Sequence, residues 1–306
     1  CCPFKCTFCS DEFTRAKVRY RDIGLVVDEI EKKIEKYGIF FFNVLDADFM
    51  LNEKRVIAFC SEILKRGIKA KFSIQADSYQ IYNKETIDLM VKCGFSFISL
   101  GIERFNQDTR VRINKKLKQD VVLKNLNTLH DAGFVVNINF LAGFPFDTPQ
   151  SITEEADLFC DALSKYASSV SMPFLMPMPG TYEYKNDPTV HQWYLDKRYY
   201  EPEPFYQTIM RLNFDPRTKS IFDLSNATKK QMIKTKKRIQ SAVIKKRSFL
   251  IYMAYELALL FSNCSYFMYK LSPKAEYLIF SPLKNTLLTM QEIIIRSFAT
   301  LKKTTK

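Results

Sequence analysis

Three cysteines, Cys2, Cys6 and Cys9, stand within the first ten residues at a C-x3-C-x2-C spacing, with Phe8 directly before the last. Three thiolates on one short loop can ligate three irons of a 4Fe-4S cubane and leave the fourth iron to a small chelating ligand. The competing reading is a structural zinc site completed by Cys1. Closed zinc sites usually draw two cysteine pairs from separate places, and no second C-x2-C occurs here. A chelator with adjacent amine and carboxylate would want an acidic group to accept from its ammonium, and Asp46 or Asp48 is of that type. Glu103 could accept from a hydroxyl or from the same amine. The Gly143-Phe144-Pro145 turn lets backbone approach a flat ring, with Ile138 or Phe140 as apolar walls. Each of these residues also has a plain structural use: Asp46 and Asp48 can cap a turn, and Glu103 can pair with Arg104 or Arg110.

The elements that must position these groups read as alternating helices and strands. Leu25, Val26, Ile30, Ile34 and Tyr37 recur at helical spacing up to Gly38. The apolar run from Ile39 to Leu45 is too short for a helix and reads as a strand buried on both faces. Helices follow over Glu53–Arg66, Lys84–Cys93, Gln119–Ala132 and Ser151–Tyr166, and strands over Lys71–Ala76, Phe95–Ile102, Val135–Ala142 and Ser169–Met176. Such an order makes a parallel sheet whose right-handed crossovers curl it toward a barrel, with the chemistry at the strand ends. The unusual residues fall there: Asp46 and Asp48, Gln75 and Asp77, Gly101 and Glu103, Gly143 to Pro145, and Pro177 to Thr181. The cysteine loop would also follow a strand, one preceding Cys1, so the chain reads as a fragment lacking the first barrel strand.

The 306 residues are 47% hydrophobic and 14% aromatic, enough for a sizeable core and against wholesale disorder. Beyond the opening loop the cysteines are scattered singly, which excludes a disulfide scaffold and suits a reducing compartment. Charge is unevenly placed. Residues 225–306 hold 16 Lys and Arg against three Asp and Glu, which accounts for the whole net charge of +13. Three regions are expected: a core over 1–185, a loop region with Trp193 and other aromatics over 186–224, and a basic, mainly helical region over 225–306. In the last, a lysine-rich helix runs into Phe249–Tyr269, whose single charge is Glu256. A core helix, a peripheral membrane contact and, less favoured, nucleic-acid binding are the readings of that tail.

In its motifs and their order the chain resembles the radical S-adenosylmethionine superfamily, and most of all the members with a cobalamin-binding domain. The resemblance rests on the cysteine loop and on Val27-Asp28-Glu29-Ile30. It continues through Asp46-Ala47-Asp48-Phe49, Ala76-Asp77, Gly101-Ile102-Glu103-Arg104 and Ile113-Asn114-Lys115. Gly143-Phe144-Pro145-Phe146-Asp147-Thr148 and Pro177-Met178-Pro179-Gly180-Thr181 complete it. It implies a partial (β/α)6 barrel of TIM type, a 4Fe-4S cluster on Cys2, Cys6 and Cys9, and S-adenosylmethionine contacts at Phe8, Asp46, Asp48, Gln75, Gly101, Glu103, Asn139, Gly143, Phe144, Pro145 and Pro179. It further implies reductive cleavage of S-adenosylmethionine to a 5′-deoxyadenosyl radical that modifies, by methylation or otherwise, a small or lipid-like substrate. A flavodoxin- or ferredoxin-type electron donor, a cytoplasmic location with peripheral membrane contact as an option, and cobalamin held by a domain outside this chain belong to the same expectation. The cobalamin signature D-x-H-x-x-G is absent from these residues. A tRNA methylthiotransferase and a non-catalytic zinc or degenerate cluster protein are the alternatives. Three departures stand out: Cys1 where the pattern has glycine, Arg104 where it has serine, and Phe146-Asp147 where it has Gly-Glu.

Overall fold

Short polar residues start the helices and glycines end them. Helix α1 (Ile23–Tyr37) begins where Asp22 accepts the Leu25 N–H at 3.1 Å and ends at Gly38, whose φ of 64° suits glycine. Asn52 caps α2 (Glu53–Lys65) and Asn83 caps α3 (Lys84–Cys93) in the same way. The computed structural model describes residues 2–10, 18–79, 81–115, 118–188, 190, 192 and 224–245.

Between the helices run five parallel strands: β1 (Phe41–Asn43), β2 (Lys71–Asp77), β3 (Phe95–Glu103), β4 (Val135–Phe140) and β5 (Ser169–Ser171), in spatial order β1-β2-β3-β4-β5. Consecutive strands pair in parallel because each crossover carries helix, with α5 (Gln119–Asp131) linking β3 to β4 and α6 (Pro149–Leu158) linking β4 to β5. This is the open α/β barrel layout the alternation implies.

The two faces of the sheet differ in chemistry. Ile74, Leu100, Ile102, Val136, Ile138 and Phe140 are buried on one face, with Phe72 and Phe95 meeting Phe49 and Phe59 in an aromatic cluster. Alternation puts Ser73, Gln75, Ser99, Asn137, Asn139 and Ser171 on the other. There Ser73 donates to Asn43 at 2.8 Å, Asn137 and Asn139 each donate to Ser99 at 3.1 Å, and Ser169 donates to Asn137 at 2.8 Å. A barrel packed only by side chains would carry branched apolar residues on that face; this one carries a hydrogen-bonded polar belt.

Three expectations need correction. The Ile39–Leu45 run yields only a three-residue edge strand with Phe40 59% and Phe41 40% exposed, because a strand is buried on both faces only with neighbours on both sides. Leu25 and Tyr37, read as core positions of α1, are exposed, and Val27 and Ile30 are the buried ones. The last strand stops at Ser171, since Pro173 cannot donate to the ladder; only Ala142 and Phe174 pair beyond it.

Helices α4 (Gln107–Arg112) and α7 (Tyr182–Asn186) are too short for periodicity to reveal. Helix α8 (Lys229–Lys245) is the expected lysine-rich one. The chain divides into two compact units, Cys1–Gln240 and Ser241–Lys306. Trp193 and the Phe249–Tyr269 run lie outside the described residues, and among those described no helix is long and apolar enough to cross a membrane.

Candidate active site

The cysteine loop is held by backbone, side-chain and ring contacts, among them Phe4 edge-on to Tyr79 at 6.0 Å. The Thr7 N–H donates to the Ile113 carbonyl at 3.2 Å, the Tyr182 N–H donates to the Thr7 carbonyl at 2.8 Å, and Asn114 Nδ2 donates to the Lys5 carbonyl at 2.6 Å. Phe8 meets Phe144 edge-on at 6.1 Å. Asn114 sits at φ 59°, a conformation asparagine tolerates better than most residues. Within the loop the Cys9 N–H returns to the Cys6 carbonyl at 3.2 Å, making a tight turn between two of the thiols.

Cys2, Cys6 and Cys9 are thiols outside any disulfide, Cys6 buried and the other two half-buried. Burial pushes the Cys6 thiol up to about 11, with Lys115 pulling it down and Asp77, Cys9 and Cys2 pushing it up. Burial likewise raises Cys2, and Asp48, Cys9 and Asp77 add to the rise. All three thiols therefore share one electrostatic neighbourhood with the ends of β1 and β2. Among the described residues no three His, Cys, Asp or Glu side chains gather around a single ion. The cysteines of a cubane bind separate irons and need no such convergence.

The two aspartates after β1 part company. Asp46 is exposed. Asp48 is 5% exposed and caps the 3-10 turn Phe49–Leu51 through one oxygen, which accepts the Met50 N–H at 3.0 Å. Its other oxygen is buried and makes no hydrogen bond of ordinary geometry among the described residues, although the Asp77 backbone N–H helps to hold the carboxyl down. Burial pushes this carboxyl up to about 6.

Lys115, which the residue-by-residue reading did not single out, is the centre of the floor. Its ammonium is 7% exposed, pairs with Asp77 at 2.7 Å and donates to the Gly101 carbonyl. Burial would lower it, but Asp77, Glu103 and Cys6 outweigh that and hold it above its ordinary value. Glu103 ends β3 at a bulge with φ 63°. Burial pushes its carboxyl up to about 7, with Lys115 opposing. A Cβ on Gly101 would lie 3.0 Å from Lys115 Nζ and 3.1 Å from Glu103 Oε1, so glycine is what lets the two groups close over this position. Only a long cation one residue beyond Asn114 could have flagged Lys115 in the sequence; its carboxylate partners lie 12 and 38 residues away.

The remaining positions are spread along the rim. Gln75 is exposed and Asn139 half-buried, both on the polar face. Gly143 takes φ 94°, Pro145 is exposed, and Phe144 is fully buried against Ile113, Leu141 and Leu175. Pro179 precedes Gly180 in the turn that delivers Thr181 and Tyr182 to the cysteine loop. One expectation fails here. Ile138 and Phe140 face away from the polar face, so they cannot wall a ring bound over it; strand alternation puts Asn139 there instead. Arg104 pairs with Asp147, Arg110 donates to the Arg104 carbonyl at 2.9 Å, and both guanidiniums pull the Glu103 carboxyl down through their charge.

Comparison with known proteins gives this arrangement a family. Residues 1–159 match the Radical SAM superfamily. An anaerobic magnesium-protoporphyrin IX monomethyl ester cyclase of Cereibacter sphaeroides is 32% identical over 164 residues, 50% of this chain and 26% of that protein. A bacteriochlorophyllide d C-12(1)-methyltransferase of Chlorobaculum tepidum is 26% identical over 187 residues, 59% of this chain and 39% of that protein. The chain thus spans between a quarter and two-fifths of these relatives. Among solved structures, the radical S-adenosylmethionine methyltransferase TsrM of Kitasatospora setae, with cobalamin and a 4Fe-4S cluster bound, overlays with a TM-score of 0.51 at 19% identity, covering 59% of this chain and 34% of that one, and so shares the fold. A cysteine loop pinned over the strand ends of an open parallel barrel, with the sequence match running through half the chain, takes the place of the zinc reading: the chain belongs to the Radical SAM superfamily.

Proposed function

We propose that this chain is the core of an enzyme that binds a 4Fe-4S cluster and S-adenosylmethionine and uses them to modify a small or lipid-like substrate. The observation that carries the reading is the buried oxygen of Asp48 beside the cysteine loop, which lacks a hydrogen bond of ordinary geometry, with the Asp77–Lys115–Glu103 group next to it. A buried carboxylate oxygen without a well-placed donor costs free energy until one arrives. The ammonium of a chelated amino acid is such a donor, so Asp48 rather than the exposed Asp46 takes this role.

Cys2, Cys6 and Cys9 would hold the cluster, which with its ligand supplies one-electron cleavage of a carbon–sulfur bond and a 5′-deoxyadenosyl radical. The chain's own residues bind and orient. Glu103, raised on its bulge, accepts from a ribose hydroxyl. Lys115 keeps the crowded carboxylates compatible and offers its remaining hydrogen-bonding capacity to a carboxylate. The Gly143-Phe144 turn brings bare backbone to the purine. Cysteine thiols raised by burial lose their protons on ligation, so cluster loading releases protons.

The polar belt supports a substrate whose part next to the sheet carries hydrogen-bonding groups. The relatives bear names for reactions on tetrapyrroles, and methyl transfer or another radical modification of a molecule of that kind, tetrapyrrole or lipid, is the activity proposed. Members of this family need an electron donor and a substrate. A flavodoxin or ferredoxin as donor, cobalamin on a domain outside these residues and membrane contact through the basic tail complete the proposal, as do the three regions 1–185, 186–224 and 225–306.

Anaerobic reconstitution followed by assay for 5′-deoxyadenosine tests the reading. The wild-type chain, incubated with S-adenosylmethionine and dithionite, yields the product, and the Cys2→Ala, Cys6→Ala, Cys9→Ala triple variant yields none. Undiminished product from the triple variant would sink the assignment.

A further inference from the structure

Two of the departures from the family pattern, 43 residues apart in sequence, meet. Arg104 Nη2 pairs with Asp147 Oδ2, both side chains 1% exposed. The same carboxylate oxygen accepts the Gly143 N–H at 2.8 Å and the Phe144 N–H at 2.9 Å, closing the turn on itself. The guanidinium lies over the rings of Phe140 at 5.1 Å and Phe144 at 5.2 Å. The Asp147 carbonyl accepts from the Ala227 N–H at 3.1 Å and Ser225 Oγ at 3.3 Å, so the segment leading into α8 rests on the same residue.

We propose that Arg104 and Asp147 are a positioning pair that sets the distance between the Glu103 turn and the Gly143-Phe144 turn, and thereby the affinity for S-adenosylmethionine. This rests on the function proposed above. Arg104 directly follows Glu103; its guanidinium lies over Phe140 and Phe144 on the buried side, while Glu103 lies beside Gly101 and feels Lys115 on the polar one. Anchoring Arg104 on the buried face therefore holds Glu103 on the polar one, in its left-handed conformation. Phe144 is the other end of the clamp and touches Phe8, the neighbour of Cys9, so the pair also reaches the cysteine loop. Stability alone is a poor reason for the pair, since apolar residues of similar volume commonly stabilise a core as well as a buried ion pair does. A planar guanidinium stacked on two rings and fixed by charge gives instead a defined direction and length. The arginine in place of the pattern's serine and the aspartate in place of its glutamate are thus each other's partner.

Arg104→Lys keeps the charge and loses the planar stacking. Arg104→Ser and Asp147→Asn remove one partner each. The reconstituted full chain is assayed anaerobically for iron content, for the S-adenosylmethionine dissociation constant by equilibrium dialysis, and for the change in the reduced cluster's paramagnetic resonance spectrum on adding it. At wild-type iron content, affinity falls about tenfold or more in Arg104→Ser and Asp147→Asn and about threefold in Arg104→Lys, with the spectral change weakened in the same order. Should the first two fail to fold, Arg104→Lys decides. Wild-type affinity in an iron-replete Arg104→Lys, or in either of the others if folded, overturns the pair's role. Failure of the wild-type chain to bind S-adenosylmethionine would overturn the proposed function instead.

Discussion

Asn114 offers a direct measure of what holds the cysteine loop. Its side chain donates to the Lys5 carbonyl at 2.6 Å across 109 residues of sequence, and its backbone sits at φ 59°. Asn114→Ala removes the bond, about 1 kcal/mol net, and places a Cβ-bearing residue without local side-chain bonding in the left-handed region, about 1 kcal/mol more. Together these are about 2 kcal/mol, or roughly 30-fold in the equilibrium for opening the loop. Asn114→Gly accepts the backbone conformation and loses only the hydrogen bond, so its effect is about fivefold. The assay is the rate at which a chelator strips iron from the anaerobically reconstituted chain. If opening equilibrates faster than iron is captured, the rate follows the opening equilibrium. The order wild type, Asn114→Gly, Asn114→Ala is expected, slowest to fastest. A folded Asn114→Ala that loses iron at the wild-type rate would refute the reasoning, because the Thr7 backbone bonds and the Phe4 and Phe8 ring contacts would then suffice to hold the loop.

Two further variants test the floor of the site. Lys115→Met leaves Asp77 and Glu103 without their buried cation and costs about 3–5 kcal/mol at pH 8. Its deficit in urea midpoint shrinks at pH 5.5 as the Glu103 carboxyl protonates, and a deficit that does not change with pH would show that the charge is irrelevant. Glu103 has a folded-state value of about 7 against an ordinary 4.5, so the folded chain binds the extra proton between those values. Its contribution to stability is accordingly lost as pH rises from 4.5 to 7, with a ceiling of about 3 kcal/mol. Glu103→Gln is therefore more stable than wild type at pH 8 while binding S-adenosylmethionine more weakly. A variant destabilised at pH 8, or one with unchanged affinity, would contradict the burial or the contact respectively.

The contrast between what was legible and what was not follows the range of the interactions involved. The helices read from apolar spacing and from a closing glycine hold in the structure, where Asp22, Asn52 and Asn83 prove to cap their starts within a turn. The edge exposure of Phe40 and Phe41 was not legible, because an apolar run states that a strand forms and not how many neighbours it has. Asp46 and Asp48 are the same residue type two positions apart; only the packing of the 3-10 turn buries one and exposes the other. Arg104 and Asp147 each looked like a local irregularity, and their relation exists only where the ends of β3 and β4 come side by side.

By itself, then, the sequence determined the cysteine spacing, the ordered strand-end motifs and the alternation that makes a parallel sheet, since all three depend on residue type and short-range geometry. The tertiary structure alone decided which carboxylates share a buried site, that Lys115 sits among them, and that Asn114 reaches the cysteine loop. Those contacts join residues 38 and 109 positions apart, and their energies arise from burial and direction, which no spacing along the chain encodes.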